Sequence, residues 1–404
     1  MRCSSEGDAR DWVSRIVAAL GLRPRRVAAF VNPVGGTGRA LAVFNTEVRP
    51  WPEAAALRRL LSQLFLQVLP LLKLAGVSVA VTLTKHRGHA TEVAASLDLS
   101  ALDALLVVSG DGLLSEVYNG LMQHAQRDAA AVLPIGVIPA GSGNAMAKSL
   151  AARAGEACCV VNATLAALCC TKPAPLDAAL VRQEGSKPLH ALLSLSWALV
   201  ADIDIESEAF RVLGSARFTL QALVRCAMLR HYAGNVLFVP PSDDAKSVAA
   251  GRQATDEEVA RACRLGGGDD SDTHWRVLAG PLESVWALNV PYGGEDAYAA
   301  PGAIPDDGCF DLVVISGGNP LTVANSLIAM EEGAHVSHAC VSMVKARAFV
   351  LEPGEPHTGD GGLLVLDGEL AARRNTTAQL PLRYAPLHVS VQRGAARMLA
   401  RPSR

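Results

Sequence analysis

An acidic residue between two glycines interrupts the stretch VVSGDGLLSEVYNGLM at positions 107–122. Asp111 lies between Gly110 and Gly112, and an Asp-Gly pair often forms a hairpin turn. A hairpin would need a second alternating strand, but the next apolar residues recur at helical spacing. The pattern therefore predicts a strand, a ligand-binding turn that carries Asp111, and then a helix. The apolar residues of the predicted helix are Leu113, Leu114, Val117, Tyr118, Leu121 and Met122.

Three further loops resemble this turn in composition and follow predicted strands. Glycine allows backbone N–H groups to approach phosphate oxygens, and the N-terminus of a following helix favours bound anions. The loop that follows the first strand, NPVGGTG, lacks the Lys-Ser/Thr ending of a P-loop and differs from the G-x-G-x-x-G fingerprint of dinucleotide-binding proteins. In phosphoryl transfer, a carboxylate beside the phosphates can accept the proton of the hydroxyl that attacks them, and Asp111 is suited to this role. The four loops are NPVGGTG at 32–38, TKHRG at 84–88, SGDG at 109–112 and AGSGN at 140–144.

The elements that carry these loops alternate between strand and helix over residues 24–172. Such alternation predicts an α/β fold with a doubly wound parallel sheet. In sheets of this kind, ligands bind beyond the carboxyl ends of the strands, where all four loops lie. Strands are predicted at 26–31, 77–83, 103–109 and 134–139, and helices at 52–74, at 89–97, after Asp111 and from Asn144.

Residues 173–395 have a different pattern, which predicts a β-rich, antiparallel sandwich-like second domain with helices. The most apolar stretch, ALLSLSWALVA at 191–201, is predicted to be a buried strand and is too short to span a bilayer. Helices are predicted near 206–231 and 321–335. The polar, glycine-rich stretch 241–274 is predicted to be a flexible insert.

Composition narrows the classes of function. The chain has 404 residues and a formal net charge of -2, which gives no reason to expect a nucleic-acid partner. Its nine cysteines lack the spacing of a zinc site. The first residues are charged throughout and contain no apolar signal segment. Reduced thiols and a cytoplasmic location are therefore expected.

The motifs together resemble the diacylglycerol-kinase-like lipid kinases. SGDG is followed by a Glu and NGL, and GSGNA and a late DGE are also present. Within that superfamily, LSLSWALVADIDIESEAFRVLGSARFTL at 193–220 is similar to the sphingosine kinases, in which a Trp precedes an acidic lipid-recognition segment. The resemblance extends from about Arg26 to Glu369. It implies a two-domain kinase with a cleft between the domains, which uses ATP and Mg²⁺ to phosphorylate the primary hydroxyl of sphingosine or a related sphingoid base.

The resemblance also implies roles for individual residues. Asp111 matches the catalytic Asp, and Asp204 matches the carboxylate that recognises the amino-alcohol head group. Asp204 has a physical rationale as well, because sphingosine carries an ammonium that ceramide and diacylglycerol lack. The implied substrate contacts are Ser109, Gly110, Asp111, Gly112 and Asp204. The implied ATP contacts are Asn32, Gly35, Gly36, Gly38, Thr84, Lys85, His86, Arg87, Gly88, Glu116, Gly141, Ser142, Gly143, Arg211, Arg217, Asp367, Gly368 and Glu369.

Two alternatives remain at this stage. A ceramide or diacylglycerol kinase of the same superfamily would share the loops but would gain nothing from a charged Asp204. A weakly active lipid-binding or scaffold protein could keep the fold without efficient catalysis. The second alternative depends on Val34, where the family usually has a basic residue. Because the expected substrate lies in a bilayer and the sequence has no lipidation motif, reversible peripheral membrane association is expected.

Overall fold

The computed structural model divides into two compact units. The N-terminal unit comprises Met1–Pro175 and Ala395–Arg404, and the C-terminal unit comprises Leu176–Gly394. The sequence-based boundary between residues 172 and 173 lies close to this division. The sequence did not indicate that the end of the chain, from Ala395, returns to the N-terminal unit. The structure describes residues 26–32, 68–141, 143–213, 216–266, 274–358 and 361–401.

The N-terminal unit contains a parallel sheet in the order β2-β1-β3-β4. The central strands are almost entirely buried, as expected for a sheet that is covered on both faces. Met398, near the end of the chain, pairs in parallel with Ile135 of β4. The predicted doubly wound parallel sheet is therefore confirmed. The strands are β1 Arg26–Val31, β2 Ser78–Leu83, β3 Ala104–Ser109 and β4 Ile135–Pro139.

Helices alternate with these strands, as the sequence predicts. Of the helix predicted at 52–74, only the end lies within the described residues, as α1. Asp111 is not the centre of a hairpin turn; it is the first residue of α3, and Gly110 is the N-cap. The helices are α1 Leu69–Leu74, α2 His89–Ala94, α3 Asp111–Gln123, α4 Arg127–Ala131, α5 Ala145–Arg153 and α6 Val160–Cys169.

The C-terminal unit consists mainly of antiparallel strands, which confirms the predicted sandwich-like fold. One set runs in the order β17-β14-β8-β10-β9, with β5 beside β17 and β6, and the other in the order β13-β12-β11-β7-β15-β16. Trp197 and Leu312 of the second set share a core with Phe238 and Phe349 of the first. The strands are β5 Ala174–Arg182, β6 Leu189–Ala191, β7 Ser194–Ala198, β8 Asn235–Val239, β9 Arg252–Gln253, β10 Arg276–Ala279, β11 Leu282–Leu288, β12 Phe310–Ser316, β13 Val341–Ala346, β14 Ala348–Glu352, β15 Leu363–Leu366, β16 Glu369–Arg373 and β17 Leu387–Met398.

The apolar stretch 191–201 is not a single strand, contrary to the prediction. Strand β7 ends at Ala198, and a helix begins at Leu199. Ala198 adopts φ 68° and ψ -130°, a conformation that is unfavourable for alanine and turns the chain from strand to helix. An apolar run cannot by itself distinguish a buried strand from a buried helix, which explains the error. The helices of this unit are α7 Leu199–Ser207, α8 Ala216–Ala227, α9 Ala245–Ala249, α10 Asp256–Gly266 and α11 Pro320–Ala329.

The stretch 241–274 contains α9, β9 and α10, so the prediction of a flexible insert is wrong for this part. Ala262 of α10 packs with Trp275 and Leu237 in a small core. Arg252 donates two hydrogen bonds to Glu258, at 2.8 and 2.6 Å. The polar residues of this stretch are therefore those on the solvent-facing side of amphipathic helices and strands. Residues 267–273 lie outside the described residues.

Candidate active site

The SGDG and GSGN loops pack directly against each other through their backbones. The N–H of Asp111 donates to the carbonyl of Gly143 at 3.2 Å, and the N–H of Ala140 donates to the carbonyl of Ser109 at 3.2 Å. A Cβ at Gly141 would lie 2.4 Å from Cα of Gly110, closer than real side-chain atoms approach. The structure thus brings together two groups of predicted site residues, and glycine is required there by the contact between the loops.

The carboxylate of Asp111 is buried at the start of α5. Its oxygens accept hydrogen bonds from the backbone N–H groups of Ala145 at 2.8 Å and Met146 at 3.0 Å. These N–H groups have no partner within their own helix, so Asp111 caps α5 from another loop. A carboxylate can accept about four hydrogen bonds. The two backbone bonds therefore fix its orientation without by themselves using its whole acceptor capacity.

Asn144 closes the GSGN loop, a role that the sequence reasoning missed. Its Oδ1 accepts the N–H of Gly141 at 3.1 Å, and its Nδ2 donates to the carbonyl of Gly141 at 3.0 Å. Asparagine side chains commonly bond to nearby backbone in this way, so its position at the start of a predicted helix could have indicated the role. The loop is therefore held in shape by its own side chain.

The predicted ATP contacts at Glu116 and in the 84–88 loop also lie together. Oε1 of Glu116 accepts the N–H of Gly88 at 3.0 Å. Gly88 has φ 84° and precedes α2, so the backbone there favours glycine. Thr84 is buried and donates its N–H to Val31 of β1 at 2.9 Å. Glu116 consequently orders the loop, whose side chains at Lys85, His86 and Arg87 are exposed.

The structure describes only some of the remaining predicted ATP contacts. Asn32 is half-buried immediately after β1. Gly35, Gly36, Gly38 and Ser142 lie outside the described residues, as does the side chain of Arg211. Their roles remain predictions from the family resemblance.

The DGE motif forms the turn between β15 and β16 in the C-terminal unit. Asp367 and Gly368 have φ 48° and 80°, as in the tight turns of β-hairpins. The buried carboxylate of Asp367 accepts the N–H groups of Leu192, Leu193 and Ser194 at 2.9–3.0 Å. Asp367 therefore holds the hairpin against the segment before β7, whereas Gly368 and Glu369 are exposed.

Arg217 of α8, another predicted ATP contact, is buried in the C-terminal unit. Its guanidinium is ion-paired with Glu208 and lies 4.4 Å from the centre of the Phe218 ring. Its Nε is buried and has no hydrogen-bond partner among the described residues. In this conformation the guanidinium is committed to a carboxylate of its own chain.

Helix α7 carries the acidic segment, and its two aspartates have different surroundings. Asp204 is half-buried, whereas Asp202 is only 1% exposed and accepts hydrogen bonds from Arg230 at 2.9 Å and Tyr232 at 2.7 Å. Burial raises the pKa of Asp202 above its usual value. Residues two apart lie on nearly opposite sides of a helix. The sequence motif alone gave no signal that Asp202 would be the buried member.

Comparisons with known proteins show the family to which the chain belongs. Residues 53–168 match the diacylglycerol kinase catalytic domain, and residues 271–391 match the YegS C-terminal NAD kinase beta sandwich-like domain. The chain is 36% identical over 397 residues to sphingosine kinase 1 of Arabidopsis thaliana, which covers 95% of this chain and 77% of that protein. The chain belongs to the sphingosine kinase family. It is therefore a lipid kinase, in the diacylglycerol-kinase-like superfamily.

Other relatives extend the similarity across kingdoms. Human sphingosine kinase 1 is 33% identical over 373 residues, covering 90% of each chain. Sphingoid long chain base kinase 4 of Schizosaccharomyces pombe is 26% identical, covering 87% of this chain and 72% of that one. A crystal structure of a diacylglycerol kinase from Bacillus anthracis has a TM-score of 0.50 and 17% identity, covering 94% of this chain and 97% of that one. The last comparison bears on the fold alone.

Proposed function

We propose that this lipid kinase transfers the γ-phosphate of ATP to the primary hydroxyl of sphingosine or a related sphingoid base. The products are the sphingoid-base 1-phosphate and ADP. The observation that carries the proposal is the similarity to proteins named sphingosine kinases over nearly the whole chain. The half-buried carboxylate of Asp204 on α7 supports it, because the head group of a sphingoid base is cationic.

Asp111 is the proposed general base. The proton of the attacking hydroxyl passes to its carboxylate as the oxygen bonds to the γ-phosphorus and the bond to the β-phosphate oxygen breaks. Its hydrogen bonds to Ala145 and Met146 would hold the carboxylate in one orientation during this step. Pre-set orientation is a major source of catalytic effect in phosphoryl transfer, where the protein does little covalent chemistry.

Asp204 is the proposed contact for the ammonium group of the lipid. A carboxylate and an ammonium attract each other strongly where water is partly excluded. A neutral lipid would leave the carboxylate without that gain. This contact would favour sphingoid bases over ceramide and diacylglycerol.

ATP is proposed to bind with Mg²⁺ over the loops of the N-terminal unit. Among the described residues, no group of three or more His, Cys, Asp or Glu side chains is placed to hold a metal ion. Mg²⁺ is commonly held by nucleotide phosphates, water and only one or two carboxylates, so the residues present are compatible with a metal that arrives with the nucleotide. When bound, Mg²⁺ supplies charge neutralisation on the phosphates.

Reversible association with membrane surfaces from the cytoplasm is part of the proposal. The lipid substrate lies in a bilayer, and the protein must reach it there. No helix among the residues that the structure describes is long and apolar enough to cross a membrane.

A lipid panel tests the proposed function. The purified full chain is incubated with γ-labelled ATP, Mg²⁺ and mixed micelles that contain sphingosine, ceramide or diacylglycerol. We expect label on sphingosine, at its primary hydroxyl, with rates for the neutral lipids lower by at least about tenfold. Preferential labelling of ceramide or diacylglycerol would assign a different substrate class. Absence of label on every lipid, with ATP still bound, would favour a lipid-binding relative.

A further inference from the structure

Four ion pairs connect the acidic segment 202–208 to arginines later in the chain. Asp202 pairs with Arg230, Glu206 with Arg225 and, at 3.9 Å, with Arg230, and Glu208 with Arg217. The segment that carries Asp204 thus lies beside several guanidinium groups.

The pair between Asp202 and Arg230 is the most deeply buried of the four. The side chains are 2% and 15% exposed, and Nη1 of Arg230 lies 2.9 Å from Oδ2 of Asp202. The hydroxyl of Tyr232 donates to the same oxygen at 2.7 Å. Tyr232 is fully buried, and its ring meets that of Trp197 edge-on at 5.3 Å. The pair is therefore fixed to the core of the C-terminal unit.

The hydrogen bonding of Asp202 is incomplete even though its charge is paired. Its Oδ1 is buried and has no hydrogen-bond partner among the described residues. A neutral amide could accept the same two hydrogen bonds through one oxygen, although more weakly than a carboxylate does. The distinctive property of an aspartate here is its negative charge, which compensates the guanidinium of Arg230.

Arg230 binds the carboxylate of Asp202, which lies two residues from Asp204 on the same helix. Asp202 and Asp204 are two residues apart on α7, so their carboxylates are on the order of 10 Å apart. That separation is comparable to the Debye length at physiological ionic strength, and partly buried charges are screened less than exposed ones. Without the charge of Asp202, Arg230 would keep only the longer contact with Glu206, at 3.9 Å, and its excess positive charge would repel a cation that approaches Asp204.

We propose that Asp202, by neutralising Arg230, determines the selectivity of the lipid site for cationic head groups. Asp202 does not contact the substrate; it sets the electrostatic potential at Asp204. This inference rests on the proposed function, because it requires that the head group is a cation bound at Asp204. It predicts that changes at Asp202 and Arg230 alter sphingosine binding in opposite directions.

The test is a charge series at this pair. Asp202→Asn leaves one excess positive charge, Arg230→Gln leaves one excess negative charge, and the double variant is again balanced. The Michaelis constants for sphingosine and ATP are measured in micelles of neutral detergent. The matched control is the ion pair between Arg252 and Glu258 on the 241–274 stretch, as Arg252→Gln and Glu258→Gln. Asp204→Asn is included to test the proposed function in the same assay.

We expect Asp202→Asn to raise the Michaelis constant for sphingosine by roughly threefold to tenfold, the range for one charge about 10 Å away. Arg230→Gln should lower it, and the double variant should return to the wild-type value. The Michaelis constant for ATP should not rise in any of the three, and the control pair should change neither constant.

Equal impairment by Asp202→Asn and Arg230→Gln, with no recovery in the double variant, would show a purely structural role and overturn the inference. Should a single variant fold poorly, the double variant still decides, because a sphingosine constant that stays tenfold above wild type contradicts charge balance. If Asp204→Asn has no effect, the proposed function itself fails. If Asp204→Asn weakens sphingosine binding but the opposite signs are not seen, only this inference fails.

Discussion

The loops of the N-terminal sheet and helix α7 of the C-terminal unit are held in place by different means. Backbone contacts fix the loops, since Gly110 and Gly141 touch and Asp111 binds the N–H groups of α5. Charged side chains fix α7, through partners such as Arg230, which is 28 residues from Asp202. The loops should therefore respond sharply to added volume, whereas α7 should respond to changes of charge.

The largest expected effect is on catalysis, with Asp111→Asn. An asparagine keeps the size but removes the proposed base, so turnover should fall about 10²-fold to 10⁴-fold. One amide N–H would also face a backbone N–H of α5, which should lower stability by about 1–3 kcal/mol.

Turnover, ATP binding and urea unfolding of this variant are measured together. The base assignment requires that folded protein still binds ATP while turnover collapses. Activity within about tenfold of wild type would remove the assignment.

Added volume at the loop contact should give the next largest effect. Gly141→Ala places a methyl group against the backbone of Gly110 and should lower the free energy of unfolding by about 2–3 kcal/mol. Gly143→Ala is the matched control for stability, because its Cβ would lie 3.6 Å from Oδ2 of Asp111, an ordinary contact. Urea denaturation measures both. If the two variants are equally stable, the loops are not fixed by backbone contact.

A third effect, of comparable size, concerns the titration of a side-chain network in the C-terminal unit. Burial raises the pKa of Asp311 to about 6, although Lys345 at 3.2 Å favours its charged form. The folded state thus holds a proton that the unfolded state releases near pH 4. The stabilisation of the folded state that protonated Asp311 contributes is complete below about pH 4 and is lost as the pH rises through about 6.

The corresponding experiment compares Asp311→Asn with wild type in urea at pH 4 and pH 7.5. The asparagine does not titrate. The free energy of unfolding of wild type should therefore fall by about 2–3 kcal/mol, relative to that of the variant, between pH 4 and pH 7.5. If the difference in the free energy of unfolding between wild type and the variant is the same at both pH values, charged side chains in this unit are less desolvated than the structure indicates.

The contrast between the two regions also explains what the sequence could predict. Strand ends and glycine spacing are local patterns, so the parallel sheet and the positions of its loops followed from them. The burial of Asp202 rather than Asp204 depends on Arg230 and Tyr232, which no local pattern connects to α7. The same limit applies to Ala198, where an apolar run changes from strand to helix. The helices within 241–274 were also missed, because they pack in cores with residues that are distant in the sequence.

The role of Asp204 is the central claim, and the ratio of kcat/KM for sphingosine to that for its N-acetylated, neutral analogue tests it most directly. The ratio is measured for wild type and for Asp204→Asn, with the Michaelis constant for ATP as the internal control. An ammonium–carboxylate contact predicts that wild type prefers sphingosine strongly and that the variant loses at least about 2 kcal/mol of this preference, roughly thirtyfold, with ATP binding unchanged. An unchanged ratio in Asp204→Asn would contradict recognition of a cationic lipid at this carboxylate.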